Sequence, residues 1–396
     1  MVGILKSNVR NLLNLGMENK WTFFLSAGEA SGDLHGARLM ESLRRKVGGE
    51  CEFVFLGGDE MAAVAGHEPV VDYRRMAYMG FAEVIRNLGN VFRNLGMARK
   101  AMKAQPVDAL ILIDYPSFNF RLARTARKLG IPVYYYIPPK VWAWKKWRVR
   151  QMRRWCRKVL SIFPFEVDFF RRRGLDCEFV GNPTAAEVAE KRRALPSAAA
   201  LLERAGLHPG DRYIALVPGS RHGEIRANLP AMLEAAARYP QYKVIVAGAP
   251  GIDKAFYDEV APGPGAPVLS GETFAIMAYA EAALVTSGTA TLECVLLGTP
   301  LVVCYRGKRI TYEIMRHVLT IPFISLPNLV AGREIVKELI MHFATPEAMA
   351  AELGDILPGG KMRAQRLEEY AALRDSLMAD EGAAADRIVS DILAKP

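Results

Sequence analysis

Short apolar runs alternating with amphipathic stretches dominate the first 180 residues, and the same alternation restarts after residue 212. The runs Thr22–Leu25, Phe53–Leu56, Ala109–Ile113, Val133–Ile137, Val159–Phe163 and Phe179–Val180 read as strands buried on both faces. Between them, Leu34–Lys46, Phe81–Ala104 and Leu122–Leu129 carry apolar residues at the 3.6-residue period of a helix. Strands that lie side by side in parallel need a long crossover, and a helix supplies it. The pattern therefore predicts an α/β fold built on parallel sheets.

After Gly181 the alternation pauses. Asn182-Pro183 is a turn signal, and Ala185 to Asp211 is rich in alanine and charge, with Gly206, Pro209 and Gly210 at its end. The pattern then resumes through Tyr213–Val217, Leu229–Arg238, Val244–Ala247, Phe274–Ala280, Ala283–Val285, Thr291–Leu297 and Leu301–Cys304. The expected organisation is one sheet unit over 1–182, a second over 183–345, and a helical tail over 346–396 packing back on the first unit. Two such sheets facing one another would leave a central cleft lined by the carboxyl ends of their strands, where ligands bind in folds of this kind. The loops that follow strands are the ones to read.

The chain of 396 residues carries 52 Lys and Arg against 42 Asp and Glu, a net charge of +10. That excess favours anionic partners without choosing among nucleic acid, phosphorylated substrates and an anionic membrane leaflet. With 51% hydrophobic and 24% charged residues, disorder over most of the length is excluded. The 5 cysteines form no C-x-x-C pair, which points to a reducing compartment and no disulfide framework. No stretch reaches the roughly 18 uninterrupted apolar residues of a bilayer span, so any membrane contact is expected to be peripheral. Residues 1–20 lack a cleavage-site pattern and read as an extended or mis-assigned start, with Met17 as an alternative, above a signal peptide.

Four strand-following loops carry polar chemistry. In Ser26-Ala27-Gly28-Glu29-Ala30-Ser31-Gly32-Asp33 the glycines would let backbone approach a ligand, and Ser31 or Asp33 would cap the next helix. A plain strand-to-helix turn explains the same residues, and the dinucleotide spacing G-x-G-x-x-G is absent. In Ile113-Asp114-Tyr115-Pro116-Ser117-Phe118-Asn119, an acid ends a strongly apolar strand, where partial burial would raise its pKa toward that of a general base. Pro116 and Asn119 already supply turn chemistry, which favours a functional Asp114 over a capping one.

The third loop, Pro218 to Ile225, puts Ser220 and Arg221 at a helix start, where N–H groups, helix dipole and guanidinium converge on phosphate. Glu224 also reads as an ordinary first-turn carboxylate. The fourth, Ala283 to Cys294, sends a strand through Ser287-Gly288-Thr289 into a helix bearing Thr291 and Glu293. Hydroxyls and N–H groups there suit a pyrophosphate, and a carboxylate suits ribose hydroxyls. The six histidines form no H-x-H or H-E-x-x-H pair, and neither a G-x-S-x-G elbow nor a Walker loop occurs. No metal and no cofactor is expected.

Val141-Trp142-Ala143-Trp144-Lys145-Lys146-Trp147 leads into Arg148 to Lys158 without one acidic residue. On a helix, Arg150, Arg153, Arg154, Arg157 and Lys158 would make one cationic stripe, with Val149, Met152, Cys156 and Val159 on an apolar one. Indoles beside cations suit a bilayer interface, single-stranded nucleic acid, or a solvated face with Trp142 and Trp144 in the core. Phe81, Val84, Ile85, Leu88, Val91, Phe92 and Leu95 form a second amphipathic run that reads as a lipid groove or a core helix.

Taken together, SAGEASGD at 26–33, MGFAEV at 79–84, IDYPSFN at 113–119, PPKVWAW at 138–144, FPFE at 163–166, PGSRHGEI at 218–225, SGTATLE at 287–293 and SLPNLVAGRE at 325–334 closely resemble bacterial lipid-A-disaccharide synthases. The likeness covers about Trp21 to Ile340. It implies a GT-B fold, two Rossmann-like domains, and an inverting transfer from UDP-2,3-diacylglucosamine to 2,3-diacylglucosamine 1-phosphate (lipid X). The product would be a β-1,6-linked disaccharide plus UDP, in lipopolysaccharide synthesis, by an enzyme peripheral to the inner face of the cytoplasmic membrane. Nucleic acid is not an implied partner, and the oligomeric state stays open, a homodimer included.

Carried over by position, Asp114 matches the family's general base, with Glu29 the competing candidate. Ser220, Arg221, Glu224, Ser287, Gly288, Thr289, Thr291, Glu293 and Asn328 would form the donor side. Gly28, Glu29, Ser31, Gly32, Asp33 and Asn119 would form the acceptor side. Trp142, Trp144, Lys145, Lys146, Trp147, Arg150, Arg153, Arg154 and Arg157 would face anionic lipid. Two departures stand out: Ser117 where the family commonly has an acid, and Asn182 where it usually has His. Two enzymes of the same fold compete, an N-acetylglucosaminyl transferase acting on the peptidoglycan lipid precursor and a nonhydrolysing UDP-sugar epimerase. A basic binding module is the non-enzymatic alternative, but it leaves Asp114 and the Ser-Gly-Thr turn unexplained.

Overall fold

The computed structural model describes residues 20–48, 50–75, 88–143, 146–262, 266–307, 322–378 and 382–394. The expected helical run from Phe81 lies in part outside them, as do Trp144 and Lys145. The chain forms two compact units. One runs to Gly181 and takes up the chain again from Ala379; the other is Asn182–Met378.

The first unit contains β1 (Trp21–Ser26), α1 (Ala30–Val47), β2 (Cys51–Gly57), α2 (Asp59–Ala65), β3 (Val71–Asp72), α3 (Leu88–Ala104), β4 (Ala109–Ile113), α4 (Pro116–Lys128), β5 (Val133–Tyr136), α5 (Arg148–Trp155), β6 (Lys158–Ser161), α6 (Pro164–Arg171) and β7 (Cys177–Phe179). All pairings in its sheet are parallel, in the order β3-β2-β1-β4-β5-β6-β7. Alternate residues of the inner strands feed cores on opposite faces: Phe24, Leu110, Leu112 and Tyr135 on one, Phe23, Leu25, Ile111 and Tyr134 on the other. Every residue of β4 is buried, which is why its sequence is unbroken Ala-Leu-Ile-Leu-Ile.

The second unit contains α7 (Pro183–Arg193), α8 (Ala198–Arg204), β8 (Tyr213–Val217), α9 (His222–Ala236), β9 (Lys243–Gly248), α10 (Lys254–Val260), β10 (Val268–Ser270), α11 (Thr273–Tyr279), β11 (Ala282–Thr286), α12 (Thr289–Leu297), β12 (Leu301–Tyr305), α13 (Leu326–Ala331), β13 (Lys337–Ile340), α14 (Pro346–Ile356) and α15 (Arg363–Leu377). Its sheet is again parallel, in the order β10-β9-β8-β11-β12-β13. Asn182, buried at the start of α7, accepts the N–H groups of Thr184 at 2.9 Å and Ala185 at 3.3 Å. An N-cap before Pro183 is thus the local role of that departure from the family pattern.

The tail is not one piece. α14 buries Met349, Leu353 and Ile356 in the second unit's core, and α15 is held there by Arg363, whose Nη1 donates to the Glu281 carbonyl at 2.7 Å. α16 (Ala383–Leu393) packs on the first sheet, through Ile388 and Val389. Asp391 fixes it by accepting the Tyr134 hydroxyl at 2.7 Å and pairing with Arg157.

Candidate active site

Each sheet reverses its winding direction at one point, between β1 and β4 in the first unit and between β8 and β11 in the second. Ligands of doubly wound sheets bind outside the carboxyl ends of the strands at this switch point. The four loops singled out from sequence are the four that flank the two switch points.

In the first unit the β4 end is locked into an unusual conformation. Asp114 and Tyr115 have φ of 40° and 45°, in the left-handed region that non-glycine residues rarely adopt. Two buried donors hold the Asp114 carbonyl: Asn119 Nδ2 at 2.7 Å and the Tyr135 hydroxyl at 2.7 Å. The Asp114 N–H donates to the Ile137 carbonyl at 3.1 Å. Bonds to the Asp114 backbone therefore fix the conformation from which its carboxyl projects. Burial, then the negative charge of Glu29, push that carboxyl up to about 6, while Lys140 and the Tyr115 N–H pull the other way. A carboxyl that changes charge near neutrality results.

Of the acceptor-side set, Glu29 and Ser31 are exposed and hydrogen-bonded to each other at 2.5 Å. The other members do structural work. Asp33 is 3% exposed and accepts N–H groups of Gly58 at 2.6 Å, Glu60 at 3.0 Å and Met61 at 3.3 Å, so its charge caps the start of α2. Asn119 is wholly buried, accepting the Ser26 hydroxyl at 2.7 Å while its Nδ2 serves the carbonyls of Ser26, Ile113 and Asp114. Gly28 makes room for the Tyr115 ring, since a Cβ there would stand 2.2 Å from its Cγ. Gly32 packs on Ala27 and Ile113.

The second unit repeats the division of labour. Gly219, at φ 121°, forms the turn after β8, and a Cβ there would stand 2.6 Å from that of Glu224. Glu224 accepts the Ser220 N–H at 3.1 Å and Arg221 Nη1 at 2.9 Å, so it braces the loop and has fewer oxygens free for a ligand than expected. Arg221 itself stays 76% exposed. After β11, Ser287 is half-buried, and Gly288 and Thr289 are open to solvent at the N-terminus of α12, where no side chain caps the helix. Thr291 is buried and its hydroxyl donates to the Gly288 carbonyl at 2.7 Å, which corrects its placement among ligand contacts. Glu293 is half-buried; burial and then Glu187 raise its pKa, opposed by Lys191.

Asn328 also moves from ligand contact to scaffold. It is fully buried and spends both ends of its amide on Ile335, Val336 and Glu338. Glu338, which sequence reasoning missed, accepts the N–H groups of Ile324 at 2.9 Å and Ser325 at 3.0 Å. The Ser287 hydroxyl donates to the Ile324 carbonyl at 3.2 Å, so Glu338 steadies a segment that touches the Ser-Gly-Thr turn. Tyr135, Lys140 and Glu166 were missed as well, although PPKVWAW and FPFE contained two of them.

The cationic stripe is shorter than its sequence period. α5 ends at Trp155, and Arg150, Arg153 and Arg154 are exposed with Lys146 and Trp147, the last at 57%. Arg157 is turned inward by its pair with Asp391, and Lys158 opens β6 and pairs with Glu178 at 2.5 Å. Trp142 is buried, its indole N–H donating to Glu166 Oε1 at 2.7 Å. Neither Arg157 nor Trp142 is available to a membrane. Among the described residues no helix is long and apolar enough to cross one.

Two parallel doubly wound sheets with their ligand loops at the switch points define a GT-B-type α/β protein. UDP-GlcNAc 2-epimerase from Neisseria meningitidis, solved with bound UDP-GlcNAc, has the same fold, with a TM-score of 0.60, 12% identity, and coverage of 95% of this chain and 100% of that one. The lipid-A-disaccharide synthetase family matches residues 23–389, and the chain belongs to that family. The match continues well past Ile340, where the motif likeness had faded. The lipid-A-disaccharide synthase of Myxococcus xanthus (strain DK1622) is 40% identical over 384 residues, spanning 95% of this chain and 98% of its own. That of Koribacter versatilis (strain Ellin345) is 34% identical, spanning 93% and 97%. The chain is thus a glycosyltransferase of lipid A disaccharide synthesis.

Proposed function

We propose that this enzyme joins UDP-2,3-diacylglucosamine to the 6-hydroxyl of 2,3-diacylglucosamine 1-phosphate, forming a β-1,6 bond and releasing UDP. The observation that carries the reading is Asp114: an aimed, strained, half-buried carboxyl at a switch point, titrating near 6. Its carboxylate takes the acceptor hydroxyl proton as the oxygen attacks the anomeric carbon. Attack comes from the face opposite UDP, the bond to the diphosphate oxygen breaks, and the configuration inverts. Charge developing on the leaving diphosphate meets Arg221 and the solvent-facing start of α12 at Gly288 and Thr289, and Glu293 accepts from ribose hydroxyls. Exposed Lys146, Trp147, Arg150, Arg153 and Arg154 would rest on anionic lipid at the inner face of the cytoplasmic membrane, where both acylated substrates reside.

The test is UDP release in detergent micelles, with and without lipid X, by wild type and Asp114→Asn. Release that needs lipid X and falls by at least roughly a hundredfold in the variant is expected, the lower range of general-base contributions. Lipid-X-independent release, or a fully active variant, would refute the reading.

A further inference from the structure

Glu166 takes no part in the chemistry above, yet its carboxyl lies within electrostatic reach of Asp114. It stands in the first turn of α6, 1% exposed, with both oxygens engaged. Oε1 accepts the Trp142 indole N–H at 2.7 Å, and Oε2 meets the Ser161 hydroxyl at short range. Ser161 is itself fully buried; its Oγ also lies 2.9 Å from the Phe163 carbonyl and accepts the Phe163 N–H at 3.1 Å. Two close oxygen–oxygen contacts thus converge on one hydroxyl. Each needs a proton between its oxygens, and a hydroxyl has only one to give. A proton on Glu166 would supply the second.

Electrostatics agrees with the proton count. Burial and the Asp114 charge push the Glu166 carboxyl up to about 7, against the downward pull of Ser161, Trp142 and Lys140. The groups that face it are Asp114 from the end of β4, Lys140 and Trp142 from the loop after β5, Ser161 from β6 and Cys177 from β7. Cys177 stays a neutral thiol, pushed up to about 12 by burial and then by Glu166. Lys140 faces the carboxyl as a cation, and it also acts on Asp114.

We propose that Glu166 is a positioning residue for Asp114: as a neutral acid it ties the loop Ile137–Ala143, through Trp142, to the end of β6, and so keeps Lys140 beside the Asp114 carboxylate. Once ionised, Glu166 competes for the same ammonium, and the alignment of the base is lost. The kinetic part of this inference rests on the transferase reading; the protonation part does not.

The experiment uses the full chain with ¹⁵N-labelled tryptophan, following indole N–H signals from about pH 5.5 to 9, a range that brackets an acid titrating near neutrality. Trp142→Phe assigns the Trp142 signal. In wild type that signal should shift with a midpoint near neutral pH, and kcat for UDP release should fall on the alkaline side with the same midpoint. In Glu166→Gln, whose amide keeps both contacts, the signal should not titrate, the alkaline fall should vanish, and kcat at pH 7 should stay within about threefold. Trp142→Phe removes a donor to the carboxylate and should move the alkaline midpoint upward. A Trp142 signal that does not titrate in wild type overturns the proposal, as does an alkaline limb that Glu166→Gln leaves in place. If wild type releases no UDP at all, the transferase reading fails, and the Trp142 titration alone decides whether Glu166 is an acid.

Discussion

Replacing Asp114 by Asn should stabilise the fold above pH 6 while removing activity. In the folded chain the carboxyl is pushed from an ordinary 3.8 to about 6, chiefly by burial. Each pKa unit corresponds to about 1.4 kcal/mol, so ionising Asp114 in place costs about 2 to 3 kcal/mol. Well below pH 3.8 the carboxyl is protonated in both folded and unfolded chains, and no cost arises. Between pH 4 and 6 the unfolded chain ionises first and stability declines; above 6 the full penalty stands. Asn keeps the shape and tolerates the left-handed backbone, but never ionises. A gain of about 2 kcal/mol in a unit of this size corresponds to roughly 4 to 8 °C in Tm. Thermal unfolding of both proteins at pH 8 and pH 4 checks the argument, read on the transition of the first unit. Equal Tm values at pH 8, or a gain undiminished at pH 4, would show that burial does not strain the carboxylate, and the case for a tuned base would go with it.

Gly219→Ala puts a Cβ 2.6 Å from that of Glu224 in a backbone conformation strained for L residues; loss of about 1 to 3 kcal/mol from the donor loop is expected, seen as a donor KM raised roughly tenfold or more, and an unchanged KM would contradict the role given to that loop. Removing two surface charges together, Arg153→Ala with Arg154→Ala, should weaken binding to vesicles rich in anionic lipid by roughly 30-fold at low salt, at about 1 kcal/mol per charge. Sedimentation with such vesicles measures it, and UDP release in micelles should be preserved.

The inner strands were readable because burial on both faces leaves a chemical signature, as in the unbroken apolar run of β4. The edge strands β3 and β10, two and three residues long and partly exposed, leave none. Residue type also marked where polar chemistry lies, but not which way each side chain is spent. Asp33, Asn119 and Asn328 are polar residues in motif positions, and each serves backbone groups. Asp33 reaches Gly58 and Asn119 reaches Ser26, both remote in sequence, and no local period reports such partners. Arg157 and Lys158 continued a helical spacing that the chain itself abandons at Trp155, because Asp391 and Glu178 claim them from elsewhere. Glu166 was visible as part of FPFE, but its isolation from water was not.

The clasp of Asp391 on Tyr134 and Arg157 imposes an order of events on synthesis. A ribosome makes the first sheet early, yet the helix that covers one of its apolar faces emerges only after all of Asn182–Met378. At about 5 to 20 residues per second, the sheet waits roughly 10 to 40 s with Phe23, Tyr134 and their neighbours lacking that cover. For a nascent chain this is an interval of exposure to chaperones and to other sticky surfaces. The second unit, contiguous in sequence, carries no such delay and can close first.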